Sequence, residues 1–228
     1  MIKAALFDLD GVVFETESQY TIFWGTIGKE YHPEIPDFAL RIKGQTLVQI
    51  YDKYFSQPEN FKHITNFKDV ASEQAKITNR LDEYERNMNY VYIEGFEEFV
   101  KDLRKNGVKC AVVTSSNVVK MQNVYHVHPE FKSYFDRVLT SEDFDKSKPD
   151  PDCYLKAAAV FGAKPEECVG FEDSFNGLKA VKASGAFTMG LATTNSEEAI
   201  RPYSDAVITN YNSFTFTDLV KIVSVSHK

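Results

Sequence analysis

The sequence predicts an α/β protein, a doubly wound parallel sheet carrying an inserted α-helical segment, and three observations point that way. Six short runs are continuously apolar instead of alternating, which is how strands buried on both faces read: IKAALFDL, VKCAVVT, RVLTS, ECVGFED, AFTMGLA and DAVITN. Helical stretches fall between several of them, GFEEFVKDLRKNG, PDCYLKAAAVFGA and SFNGLKAVKASG, with Gly107, Gly162 and Gly185 placed where helices stop. Between Glu17 and Tyr90, by contrast, no strand pattern occurs. Alternating strands and helices build a parallel sheet covered on both sides.

Taken in order, the first strand ends in DLDG and passes directly into the strandless stretch. There TLVQIYDKYF and the long polar DVASEQAKITNRLDEYERNMN read as helices. An insertion at this point should lie above the carboxyl edge of the sheet, where α/β proteins bind ligands, and is read as a lid. A helical layer packed on the sheet is the alternative. The expected division is a core of residues 1–16 and 91–228 and a helical cap of residues 17–90. Tyr84, Tyr90 and Tyr92, at the return to the core, are read as packing groups. After the second strand, His126 and His128 are read as the two sides of an extended turn before Pro129, with a surface role. The final SVSHK is expected to fray.

Composition narrows the ligand. The 228 residues are 43% hydrophobic and carry a formal net charge of -7, which supports a packed interior and disfavours nucleic acid or an anionic membrane as partner. No apolar run approaches the roughly 20 residues of a membrane span, and the start lacks a signal-peptide pattern, so a cytoplasmic monomer acting on a small molecule is expected. Cys110, Cys153 and Cys168 have no metal-ligand or redox spacing and read as reduced structural thiols.

Chemistry concentrates at four strand ends. In extended chain, Asp8 and Asp10 project to one side while Gly11 turns the backbone away. Two carboxylates so close repel unless a cation or a shared proton intervenes, and Mg²⁺ suits such hard oxygen ligands. At VVTSSN, Thr114, Ser115, Ser116 and Asn117 offer hydroxyls and free N–H groups at a helix start, either to an anion or as ordinary capping. Lys148 precedes a proline that stiffens its loop, so it is read as a phosphate counter-charge or as a solvated lysine. Glu172 and Asp173 end the fourth strand and can complete a metal site or cap the next helix.

As a set, D-x-D-G-V at Asp8 to Val12, Thr114, the lysine of SKPDP at Lys148 and the acids of GFEDS at Glu172 and Asp173 resemble the haloacid dehalogenase superfamily, in particular its β-phosphoglucomutase-like phosphatases. The resemblance spans essentially the whole chain and implies a Rossmann-like core with a helical cap. It implies that Asp8 is the nucleophile, forming an aspartyl-phosphate, and that Asp10 is the acid/base. Thr114, Ser115 and Lys148 would bind the transferring phosphoryl group. Mg²⁺ would be bound by Asp8, the Asp10 carbonyl and Asp173, with Glu172 touching the metal or standing behind it. Thr16 fits the family's hinge and Lys76 a cap position, and Tyr20, Trp24, Gln45 and Thr46 are the other candidate substrate-facing groups of the cap.

The expected reaction is hydrolysis of a small phosphorylated metabolite such as a sugar or polyol phosphate. A phosphosugar mutase is the alternative. Where the β-phosphoglucomutases carry a histidine on the first cap helix this sequence has Tyr20, and where they carry an arginine shortly after Lys43-Gly44 it has Gln45, Thr46, Leu47 and Val48. A non-catalytic metal and phosphate-binding module is the second alternative.

Overall fold

The computed structural model describes residues 2–226. Six strands, β1 (Ala4–Phe7), β2 (Lys109–Val113), β3 (Arg137–Leu139), β4 (Cys168–Glu172), β5 (Phe187–Leu191) and β6 (Ala206–Ile208), form one parallel sheet in the order β3-β2-β1-β4-β5-β6. In this register Phe7 stands level with Val112 on one side and Phe171 on the other. The carboxyl ends of the three central strands therefore open at one point.

The helices are α1 (Glu17–Tyr31), α2 (Phe38–Arg41), α3 (Leu47–Tyr54), α4 (Val70–Arg86), α5 (Phe96–Lys105), α6 (Val118–Val127), α7 (Phe131–Tyr134), α8 (Asp152–Val160), α9 (Phe175–Ser184), α10 (Glu197–Ile200) and α11 (Phe216–Ser226). Side chains alternate across β1, and the two faces differ in size. Ala4 and Leu6 join Ala111, Ala157 and Ala180 under α8 and α9. Ala5 and Phe7 face an aromatic layer under α5, in which Phe7 stacks on Phe171 at 4.6 Å. Both faces are covered, which is why the strands read as unbroken apolar runs.

Phe99, on the apolar stripe Phe96-Phe99-Val100-Leu103 of α5, anchors this layer, with Tyr211 at 5.2 Å, Phe214 at 5.1 Å and Phe171 at 5.6 Å. Phe99→Ala leaves a cavity there, and urea denaturation should show a loss of about 3–5 kcal/mol. A loss below about 1 kcal/mol would contradict this packing role.

Residues 17–90 contain four helices, a 3₁₀ turn at Pro58–Phe61 and, among the described residues, no strand. They enclose their own apolar cluster, including Phe23, Ile27, Tyr31, Phe38, Phe55, Phe61 and Ile77. The buried residues of this cluster are distinct from those of the two clusters that flank the sheet. Thr46 and Gln49 cap α3 reciprocally, and the Asp69 carboxylate accepts the Ser72 N–H at the start of α4.

The reading of the two histidines is corrected. His126 lies in the last turn of α6 and not in an extended turn, because Met121 and Val124 continue a buried helical stripe up to it. His128 ends that helix and is largely inside. Its Nε2 lies 2.7 Å from the Tyr90 carbonyl oxygen, and its ring stacks on Phe14 at 5.2 Å. At the other end of the chain, Ser224, Val225 and Ser226 continue α11, held by Leu219 in the core; His227 and Lys228 lie outside the described residues.

Candidate active site

Beyond Phe7, the Asp8 N–H still donates to the Phe171 carbonyl at 3.0 Å, so the first aspartate is held by the sheet itself. The chain then turns at Gly11, with φ +74°, where an added Cβ would stand 2.2 Å from Asp173 Oδ2. Only glycine lets the turn pass so close to a carboxylate. Asp8 and Asp10 consequently line one cavity of about 600 Å³, together with Thr114, Ser115, Lys148 and Asp173 from the other strand ends.

Lys148 is buried and donates to Asp8 Oδ1 at 2.7 Å, Glu172 Oε1 at 2.6 Å and the Val113 carbonyl at 3.1 Å. Burial disfavours its charge, but the Asp8 and Glu172 carboxylates outweigh that and hold it as ammonium. Glu172 is committed to the protein on both oxygens. Oε1 also accepts the Tyr154 hydroxyl at 2.8 Å, and Oε2 accepts the Asp173 N–H and the Ser174 hydroxyl, each at 3.2 Å. Its carboxylate lies where a Cβ on Gly177 would stand, so glycine at that position admits it.

Asp173 is different, because its Oδ2 is buried with no hydrogen-bond partner. Oxygens of Asp8, Glu172 and Asp173 lie within 4.8 Å of one another. Burial pushes the Asp8 carboxyl up to about 7 against the pull of Lys148, and pushes Asp173 well above the carboxylate range, with Glu17, Glu172 and Asp8 adding to it. Three buried acids facing one ammonium, with an orphaned oxygen among them, form a donor set that fits a hard divalent cation.

Asp10 is held by Thr16 and Ser116, which the sequence singled out, and by Lys120, which it did not. Lys120, buried on α6, places Nζ 2.5 Å from both Asp10 oxygens and 4.6 Å from the centre of the Tyr20 ring. The Thr16 hydroxyl donates to Asp10 Oδ1 at 2.5 Å and the Ser116 hydroxyl to Oδ2 at 3.1 Å. A signal for Lys120 existed in its place beside Met121 and four residues before Val124, on the stripe that α6 buries. Glu17, which pairs with Lys43 at 3.3 Å, and Glu85, which accepts the Tyr20 hydroxyl at 2.6 Å, also line the cavity and were likewise missed.

Of the candidate groups on the insert, Tyr20, Trp24, Gln45 and Thr46 line the cavity. Thr16 is buried against Asp10 and acts on the site through that hydrogen bond. Lys76 is not part of the lining; its ammonium pairs with Glu73, one turn earlier on α4, at 2.5 Å. The insert and core meet directly where Gln49 Nε2 donates to the Lys148 carbonyl at 3.3 Å.

The chain is 30% identical over 193 residues to the probable pseudouridine-5'-phosphatase of Drosophila melanogaster, covering 81% of this chain and 79% of that protein. It is 25% identical over 208 residues to the Arabidopsis thaliana protein SUPPRESSOR OF QUENCHING 1, chloroplastic; 91% of this chain spans only 19% of that much longer protein. Among solved structures, the β-phosphoglucomutase of Clostridium difficile superposes with a TM-score of 0.79 at 19% identity, covering 99% of this chain and 98% of that one, which establishes a shared fold. Residues 2–185, which contain every strand-end group described above, match the haloacid dehalogenase-like hydrolases, and the chain belongs to that family.

Proposed function

We propose that the protein is a Mg²⁺-dependent phosphatase that releases phosphate from a small phosphorylated metabolite through an aspartyl-phosphate on Asp8. The observation that carries this reading is the convergence of Asp8 and Asp10 with Thr114 and Lys148 around the orphaned Asp173 oxygen. The phosphatase name of the Drosophila melanogaster relative supports it.

In this reading an Asp8 carboxylate oxygen attacks phosphorus while the bond to the leaving oxygen breaks, and Asp10 gives that oxygen its proton. Asp10, now a carboxylate, then takes a proton from water, which attacks the aspartyl-phosphate and frees inorganic phosphate and Asp8. Thr114 binds the phosphoryl oxygens, joined by Lys148 when its hydrogen bond to Asp8 passes to the phosphoryl group, and Glu172 and Tyr154 keep Lys148 in place. Asp8, Asp173 and the Asp10 carbonyl would hold Mg²⁺, which supplies charge neutralisation for the anionic phosphoryl group when bound. The insert acts as a cap over residues 1–16 and 91–228, hinged at Thr16 and at Tyr90 to Gly95, and excludes water during transfer.

Phosphate release from a panel of sugar, polyol and nucleoside monophosphates in Mg²⁺ tests the function; no release from any of them or from p-nitrophenyl phosphate would refute it. The role of Asp10 has its own test. Asp10→Asn keeps the backbone carbonyl but has no proton to give, so kcat should fall by about 10² or more. The fall should be steeper for alkyl phosphates, whose leaving oxygens need protonation, than for p-nitrophenyl phosphate. Equal losses for both would place the effect on the water attack that the two substrates share, and no loss for either would assign Asp10 another task.

A further inference from the structure

Resting on the phosphatase reading, a narrower substrate class follows from the part of the cavity wall that the start of α6 and Glu142 contribute. The start of α6 borders this space through Asn117, and an uncapped helix start attracts anions with its free N–H groups. Here the chain has filled it. The Val118 N–H donates to Glu142 Oε1 at 3.1 Å and the Lys120 N–H to Asn117 Oδ1 at 2.9 Å. The Ser141 hydroxyl holds the other Glu142 oxygen at 3.2 Å. Partial burial raises the Glu142 carboxyl, but hydrogen bonds from Thr140, Val118 and its own backbone outweigh that and keep it below the usual carboxylate range.

The charges around the rest of the cavity agree. Two lysines line it among the described residues. Lys148 is bound to Asp8 and Glu172, and Lys43 to Glu17. Beyond the groups assigned to the transferring phosphate, the lining carries Glu17, Glu85 and Glu142 against Lys43 alone. A second phosphate on the substrate would meet three acidic side chains, of which Glu142 is held ionised, and an already paired ammonium.

We propose that the site takes phosphate monoesters whose organic part carries no second anionic group, and that Glu142 enforces this by occupying the helix end where a second phosphate would dock. A neutral or cationic polyol or nucleoside-like part meets acceptors at Glu17 and Glu142 and the apolar faces of Trp24 and Leu47. The same proposal runs against a phosphosugar mutase, which must hold a bisphosphate between its two half-reactions.

Matched pairs test this: glucose 6-phosphate with glucose 1,6-bisphosphate, and ribulose 5-phosphate with ribulose 1,5-bisphosphate. Each is titrated as an inhibitor of p-nitrophenyl phosphate hydrolysis by the Mg²⁺-loaded protein. Each bisphosphate should bind about tenfold or more weakly than its monophosphate, since juxtaposed like charges select against the wrong ligand. In Glu142→Gln the gap should close to about threefold or less through tighter bisphosphate binding, and Glu142→Ser, a smaller and still polar replacement, should move it the same way. Bisphosphates binding as well as monophosphates in the unaltered protein would overturn the proposal, as would a gap that neither variant changes. Should p-nitrophenyl phosphate not be hydrolysed, the phosphatase reading is judged separately, on the full panel of phosphate monoesters. Calorimetric titration of the same pairs then decides the selectivity, and absence of binding by both members of each pair counts against it.

Discussion

Replacing Asp8 with asparagine is expected to reduce phosphate release by about 10⁴-fold or more, equivalent to over 5 kcal/mol of transition-state stabilisation. The amide has nearly the shape of the carboxylate, so Lys148 keeps an oxygen acceptor at the position now 2.7 Å away and retains Glu172 at 2.6 Å. What disappears is the anionic oxygen that would form the covalent bond to phosphorus. Beryllium fluoride, which mimics a phosphoryl group on a carboxylate, should load the unaltered protein in Mg²⁺ and fail to load Asp8→Asn, while far-UV circular dichroism of the two stays superimposable. A variant that retained more than about 1% of the original turnover would show that Asp8 is not the nucleophile. Its place would then be that of a cation ligand, with water attacking directly.

That Asp8 stands out in the sequence has a simple physical origin. A strand buried on both faces must be apolar throughout, so an aspartate immediately after AALF marks the point where the chain leaves the sheet, and a second at i+2 projects the same way. Thr114 and Asp173 are legible for the same reason, each following an apolar run, and Lys148 through the proline that follows it. The six strands and the helices α5, α8 and α9 share that legibility, because burial imposes a period on the sequence.

The groups that surround Asp10 obey no such local rule. Lys120 reaches it from 110 residues away, and Tyr20 meets Glu85 across 65. Such pairings arise from how α1, α4 and α6 pack, and nothing in a short window encodes them. Lys76 illustrates the converse. Its partner Glu73 stands three residues earlier on a polar helix, a spacing that already announces an i,i+3 ion pair. The terminal helix α11 was obscured by its β-branched residues, Phe-Thr-Asp-Leu-Val-Lys-Ile-Val, which lack strong helix preference. Its start nevertheless carries a reciprocal cap, with the Asp218 N–H on the Thr215 hydroxyl at 3.2 Å and the Thr215 N–H on the Asp218 carboxylate at 3.2 Å.

Removing divalent cations with excess EDTA should abolish turnover, and Mg²⁺ should restore it in full. Without a cation, burial holds the Asp8 carboxyl near 7 and Asp173 well above the carboxylate range, so at neutral pH part of the nucleophile is protonated and inert. An anionic phosphate would also approach Asp8, Asp173 and Glu172 with Lys148 as the one opposing charge bound among them. A divalent cation on Asp8 and Asp173 reverses both effects, stabilising the ionised carboxylates and giving the orphaned Asp173 oxygen a partner. Ca²⁺ should substitute poorly, since it takes six to eight ligands at longer distances and the trio is closed on one side by the Glu172 hydrogen bonds to Lys148, Tyr154 and Ser174. The cation should also raise the melting temperature, because it binds only the folded arrangement of these residues. That stabilisation should be lost in Asp173→Asn, which separates the cation's binding from its part in catalysis. Undiminished hydrolysis in EDTA would mean that Lys148 alone offsets the phosphate charge and that the acidic trio serves another purpose, whereas equal rates with Ca²⁺ and Mg²⁺ would mean that the trio does not select by ion size.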